Sequence, residues 1–466
     1  MKQRKLNLMY LLLMAVFVLS SCSKKSAVAK FIPDDQLVAS IDVQQLFEKS
    51  KMGNSEASKA MWLSAAQDGV SKQETKDLIK KIAEDPAKAG IDLREPIYLY
   101  GSNDAQSIVG TILDKGDFTE LLNGLAKEYG FEAVKEKDGV QYLTSGDYNI
   151  VFDDAIFVGS SKKVDDIIAQ FKNEDTKETM AENADFEKLV ATQGVIKMLV
   201  PGDMVSAVFS EQTKALPEGL NVKDISAIVS IKTDKGVATF TAEALPKSEA
   251  WKKKIEESTD YFGNISGDYM KYVQKGAFVL YANLKGAKIY EELEKADILK
   301  QINADNQKEI VKAVLNAIDG DFVLGAKGVE NGIPEITSYI KTKDASLSDI
   351  AKEAGLSGGD GINVGFKDGA TFCIVGKTAP FTEAKDGYDT ALVKGHRIYL
   401  ACDIQQLSSL VGSVNSEYQN MAKQAANFVT NAEIYDTSDT ACELKLTMSD
   451  KEKDPIEVLI QAMMNQ

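Results

Sequence analysis

Hydrophobic positions along this chain follow three rhythms, and each predicts a different element. The first is a run without alternation: Leu6 to Leu19 is apolar throughout except at Asn7. The second is strict alternation, as in Val229-Ser-Ile-Lys-Thr233 and Phe240-Thr-Ala-Glu-Ala244, which predicts strands with one wet face. The third is the spacing of amphipathic helices, seen through Leu46 and Phe47 and again through Ile289, Tyr290 and Leu293.

The order of these elements repeats. Near the start, the turn Pro33-Asp34-Asp35-Gln36 leads into the strand Leu37 to Val43 and a helix. Gln274-Lys275-Gly276, Ala277 to Asn283 and a helix do the same later. Downstream, Pro96 to Gly101, a strand ending at Ile112 and the helix Asp117 to Tyr129 match Asp321 to Gly325, Glu335 to Lys341 and the helix Ser346 to Ala354. The hairpin Tyr148 to Gly159 finds a counterpart in Ala391 to Val393, a turn at Lys394-Gly395, and Arg397 to Ala401. A helix follows each (Val164 to Phe171; Gln405 to Val411). Each half then ends on two strands and a helix: Ile225 to Ile231, Val237 to Leu245 and Ser248 to Glu257; Ala432 to Tyr435, Cys442 to Met448 and Pro455 to Met463. The expected fold class is therefore α+β: two similar tandem modules, 31–270 and 271–466, each an antiparallel sheet with helices packed on it.

The uninterrupted run belongs to targeting, not to the fold. Lys2, Arg4 and Lys5 precede it, and Ser20, Ser21 and Cys22 follow. Leu19-Ser20-Ser21-Cys22 resembles a lipobox, where bacteria attach diacylglycerol to the cysteine thiol before cleavage. The run would rise about 21 Å as a helix, short of the ~30 Å hydrocarbon core. Residues 1–21 are accordingly expected to be a signal peptide, Cys22 the lipidated residue, and 22–30 a tether. The membrane is an expected partner through the Cys22 lipid, and no later segment approaches the ~20 apolar residues of a span.

Composition adds one constraint. Removing the three cations of residues 1–21 leaves 51 Lys+Arg against 70 Asp+Glu, a net charge of −19. Such a body repels nucleic acid, so no nucleic-acid partner is expected. Beyond Cys22 the cysteines are Cys373, Cys402 and Cys442, all in apolar strand-like runs. They read as buried free thiols acting as small hydrophobes, with one disulfide left open.

Ile32-Pro-Asp-Asp35, Val38-Ala-Ser-Ile-Asp42, Leu46-Phe-Glu-Lys-Ser50, Pro96-Ile-Tyr-Leu-Tyr100 and Asp319-Gly-Asp-Phe-Val323 together resemble an uncharacterised family of Bacteroides-type lipoproteins, a domain of unknown function. The resemblance implies an envelope lipoprotein of two repeated α+β modules and brings no catalytic residues with it. Surface-exported lipoproteins of that kind carry acidic residues just after the cysteine. Ser23-Lys24-Lys25-Ser26 is basic instead, which points to an outer-membrane lipoprotein facing the periplasm.

Candidate chemistry is sparse. The single histidine, His396, flanks a turn and reads as solvated. Gly355-Leu-Ser-Gly-Gly-Asp-Gly361 lacks the Gly-Lys-Ser/Thr ending of a phosphate cradle and reads as a loop. Asp153-Asp154, Asp165-Asp166 and the repeated Gly-Asp-Tyr at 146–148 and 267–269 read as turn and cap formers. Asp319 with Asp321 is only a fragment of a calcium loop. Trp62, Trp251, Tyr98, Tyr100 and Tyr142 are candidates for stacking on sugars, with core packing the commoner role. Catalytic residues, metal ligands and cofactors are therefore each expected to be none. The expected function is a non-enzymatic binding or scaffolding lipoprotein with an envelope protein or glycan as partner. The alternatives are a glycan or peptidoglycan hydrolase using paired carboxylates, and a carrier for apolar cargo, which would need a large apolar groove.

Overall fold

The alternating segments become strands, and neighbouring strands pair antiparallel in both halves of the chain. The structure, a computed structural model, describes residues 27–464 apart from 52–55, 103–104, 174–177, 205–218, 296–304, 331–332, 357–360, 377 and 413–415. Two units emerge: residues up to Lys235 together with Glu452–Gln466, and Gly236–Lys451.

Unit 1 contains β1 (Leu37–Ile41), β2 (Ile97–Ser102), β3 (Ala105–Thr111), β4 (Lys135–Lys137), β5 (Val140–Ser145), β6 (Tyr148–Phe152), β7 (Ile156–Ser160), β8 (Ile196–Val200) and β9 (Ile225–Asp234). They lie side by side in the order β4-β5-β6-β7-β3-β2-β1-β8-β9. Its helices are α1 (Val43–Ser50), α2 (Glu56–Asp68), α3 (Gln73–Glu84), α4 (Lys115–Tyr129), α5 (Val164–Lys172) and α6 (Ala184–Ala191). The chain's last helix, Pro455–Met464, also lies here, against α1 and β9.

Helix α4 shows why this unit is well sealed. Asp114 caps its start by accepting from the Asp117 amide, and Gly130 at φ 75° ends it in the left-handed region. Phe118, Leu121, Leu122 and Leu125 fall on one stripe and are all buried. They meet Leu78, Ile79 and Ile82 of α3 and Ile108, Ile150, Phe152 and Phe157 of the sheet. Gly90 makes the approach possible: at φ +74°, a Cβ there would sit 2.2 Å from the Phe118 nitrogen. The opposite face is covered by Phe31, its ring tilted and 4.7 Å from Phe171 of α5, and by Phe186 of α6, 5.4 Å from Tyr98.

Unit 2 contains β10 (Val237–Pro246), β11 (Phe278–Lys285), β12 (Ile318–Glu330), β13 (Ile333–Thr342), β14 (Ile362–Lys367), β15 (Ala370–Val375), β16 (Ile398–Asp403), β17 (Val429–Asp436) and β18 (Ala441–Met448). Their order is β14-β15-β13-β12-β11-β16-β17-β18-β10. Its helices are α7 (Glu249–Thr259), α8 (Gly286–Lys295), α9 (Asp305–Ala317), α10 (Ser346–Glu353), α11 (Ile404–Gly412) and α12 (Ser416–Ala426).

The chain is thus α+β, with helices on antiparallel sheet. One expected element is corrected. Ala391 to Val393 is not the first strand of a hairpin, because Thr390–Leu392 forms a 3-10 turn capped by Asp389. The hairpin that follows β13 is β14–β15 instead, closed by Asp368 and Gly369 at positive φ.

Candidate functional site

The two faces of the unit 2 sheet differ sharply. On one, alternation places a row of large residues opposite one another across seven strands: Phe372, Tyr339, Val323, Tyr281, Tyr399, Tyr435 and Glu443. Tyr281, Tyr339 and Tyr399 are among the largest fully buried side chains. Irregular chain seals this face: Ile265, Met270, Val273, Phe381, Tyr388 and Val393 pack on it.

Each buried hydroxyl there has a partner, as burial requires. The Tyr281 hydroxyl donates to Asp321 at 2.7 Å, that of Tyr399 to Glu433 at 2.7 Å and that of Tyr435 to Glu443 at 2.5 Å. Tyr339 accepts from the Phe381 amide at 2.9 Å. Burial first, and the neighbouring carboxylates second, push the Tyr281, Tyr399 and Tyr435 phenols far up. Burial pushes Tyr269 and Tyr388 up to about 12.

Asp321 is the centre of this face and only 2% exposed. It accepts from the Ser266 and Gly267 amides, the Ser266 and Tyr281 hydroxyls and the Asn283 side-chain amide. Both oxygens are engaged, so this carboxylate pins the 264–269 segment to the sheet and presents no open position for a metal ion. Among the described residues, no cluster of three or more His, Cys, Asp or Glu is placed to hold one.

The other face of the same sheet is apolar. Leu280, Leu400, Ile434, Leu444 and Phe240 lie opposite one another across β11, β16, β17, β18 and β10. Phe278, Phe322, Leu324, Ile336 and Ile340 extend the same face. Not one of these ten is buried, and Ile434 is 42% exposed. Helices α8 to α11 pack against strands of this sheet, yet contribute nothing to the tyrosine-side cluster. Among the described residues of α7 to α12, Ala317 is the one buried hydrophobic side chain. A helix layer therefore lies against this sheet, with Ala238, Ala282, Ala326 and Val364 of the same face buried and the ten larger side chains only partly covered.

The remaining candidates are dispersed. His396 lies 2.7 Å through Nδ1 from the main-chain oxygen of Asp436, with its ring 4.9 Å from Tyr435. The Asp436 carboxylate serves Arg397 and Ile398 instead: burial works to raise it, but their bonds outweigh burial and hold it low. Asp153 accepts from the Ala155 and Ile156 amides as a turn former, and Asp154 pairs with Lys115 at 2.8 Å. Asp165 sits in the first turn of α5 and pairs with Lys137.

Among the aromatic candidates, the commoner role of core packing holds for Tyr98 and Tyr100. Tyr98 and Tyr100 are 1% and 6% exposed and offer no sugar platform, whereas Tyr142 and Trp251 are half-buried. Trp62 lies within α2. Cys373, Cys402 and Cys442 are unpaired and sit on three strands of the apolar face. The first two are half-buried and Cys442 is exposed, against the expected burial of all three. Burial pushes the Cys373 and Cys402 thiols up, away from the nucleophilic thiolate. Cys22, and residues 357–360 of the glycine run, lie outside the described residues. The apolar face went unpredicted because alternation reveals which residues share a side, not whether that side is covered.

No curated protein matches the sequence. Similar solved structures include crystal form IV of TP0453, 10% identical over 45% of this chain and 76% of that one, with a TM-score of 0.27. Crystal form I of TP0453 is 11% identical over 54% of this chain and 86% of that one, with a TM-score of 0.25. Similarity at that level carries no argument about fold or activity. Residues 29–364, well over half of the chain, match the model of the domain of unknown function DUF4836, and the chain belongs to that family.

Proposed function

We propose that the protein is a non-catalytic binding lipoprotein of the cell envelope whose second unit holds an apolar ligand, the acyl chain of a lipid, between its sheet and its helices. The carrying observation is the half-open apolar face of ten hydrophobic side chains around Leu400 and Ile434. Leaving that much apolar surface wet is costly, at about 25 cal/mol per Å². Helices already packed on the sheet bar a folded partner from this face, so its occupant must be thin and flexible. An acyl chain fits, since it covers apolar side chains and demands no hydrogen bonds.

Three further readings belong to this proposal. Residues 22–30 tether the body through lipid on Cys22, on the periplasmic side of the outer membrane, as in the Bacteroides-type lipoproteins it resembles. Units 1 and 2 are copies of one module. The support for the copying is topological: β1 and β11 are each flanked by the next strand in sequence and by a later one, β8 or β16. Each is also preceded by a 3-10 turn (Ala29–Phe31; Met270–Tyr272) and an isolated bridge to a distant loop (Pro33 to Thr179; Gln274 to Gly387). A carboxylate hydrolase is less well supported, because Asp321, Glu433 and Glu443 are each committed to tyrosine hydroxyls.

The test is N-phenyl-1-naphthylamine fluorescence on the full chain after delipidation, with mass spectrometry of lipid extracted from the native preparation. Probe emission that rises and is displaced by a long-chain fatty acid, and that Leu400→Asp abolishes while the fold persists, supports the reading. No enhancement and no extractable lipid would overturn it.

A further inference from the structure

The two units do not follow the order of the chain: unit 1 takes the chain's last helix, and unit 2 takes β10 and the helix after it, which close the first half of the repeat. The helix Pro455–Met464, here α13, follows β17 and β18 in sequence yet belongs to unit 1, where it packs on α1 and β9. Asp454 anchors it: one carboxylate oxygen caps the helix by accepting from the Ile456 amide at 2.9 Å, and the other pairs with Lys49 of α1 at 3.4 Å. The side chain of Asp454 is 8% exposed, so this pair is shielded from solvent.

Helix α7 shows the converse. It follows β9 of unit 1 and then β10, and together with β10 it belongs to unit 2. Lys254 pairs with Glu292 of α8 at 3.8 Å, and the Tyr261 oxygen accepts from the Lys285 amide at 2.9 Å. Asp260 pairs with Lys285 at 3.0 Å and also with Lys288. Helices α1 and α8 hold equivalent places, directly after β1 and β11.

We infer that the two modules have exchanged their closing segments, β10 with α7 for α13, so that each unit is completed by a piece of the other half of the sequence. The inference rests on reading the units as copies; the packing of α13 on α1 does not. Chain-entropy reasoning gives the exchange a consequence: a helix of ten residues has little stability alone and depends on its docking face. Cutting the chain after unit 2 therefore weakens unit 1, hundreds of residues away in sequence, and leaves unit 2 intact.

Hydrogen exchange with mass spectrometry tests this on the full chain, on Asp454→Ala in the full chain, and on a chain ending at Lys451. The truncated chain should lose protection in α1 and β9 by on the order of tenfold or more, with α8 and β11 unchanged. Asp454→Ala should loosen the same segments less, and decides the matter if the truncated chain does not fold. Unchanged exchange in α1, or loosening centred on α8, overturns the exchange. Ligand binding is not read in this experiment, so its failure is distinct from failure of the proposed function.

Discussion

Among the described residues, units 1 and 2 carry sheets of the same strand number, and they handle their helix layers in opposite ways. In unit 1 the helices close: Leu78, Ile79 and Ile82 of α3 and four residues of α4 are all buried against the sheet. In unit 2 the helices keep their apolar residues half-exposed, and the firm packing moves to the other face, where irregular chain meets the tyrosine row. A sheet with an open apolar face needs its rigidity from elsewhere. Tyrosines supply it here because each combines a large buried ring with a hydroxyl that must find a partner.

The comparison is broken most directly by removing matched core residues. Phe118→Ala, at a fully buried site in unit 1, should cost about 3–5 kcal/mol, whereas Leu400→Ala on the half-open face should cost well under that range. Urea denaturation of both variants gives the two numbers, and equal losses would mean that unit 2 is sealed after all. Gly90→Ala should cost about 1–3 kcal/mol, since it combines a strained left-handed backbone with the clash against the first turn of α4. Thermal unfolding reads that loss.

Tyr281→Phe should cost about 1 kcal/mol, because Asp321 loses one donor and keeps the others. The same tyrosines give a pH dependence of definite sign. Phenols raised in the folded state keep their protons there while the unfolded chain releases them near 10, so their stabilisation is full below pH 10 and is lost as pH rises towards 12 and beyond. Absorbance titration at alkaline pH should show Tyr269 and Tyr388 ionising near about 12, with unfolding setting in first. Smallest of all is Asp154→Ala, which should change stability by less than about 0.5 kcal/mol, since its pair with Lys115 is surface-exposed. A larger loss by calorimetry would give that turn a role beyond the surface.

Most strands were legible because their period of two is local: Val229 to Thr233 and Phe240 to Ala244 lie in β9 and β10, although in β9 it is Ser230 that is buried while Val229 and Ile231 stay half-exposed. The hairpin β14–β15 was just as legible, since Asp368-Gly369 is a strong two-residue turn signal, and Asp138-Gly139 closes β4–β5 in the same way. The repeat pattern drew the hairpin to Ala391 to Val393 instead. Asp321 looked like one of several acidic residues near turns. Its burial came from β11 and the 264–269 segment, which no reading of its immediate neighbours brings to it.

The sequence by itself determined the α+β class, the charge of the body and the two sides of each strand, because these depend on residue type and on spacing within a few positions. Tertiary structure decided which sides are covered, that three tyrosine hydroxyls end on carboxylates, and that the last helix lies with the first. Those are matters of what arrives from far along the chain, and loop closure over hundreds of residues costs only slowly more entropy than over tens, so sequence distance sets no limit on the choice.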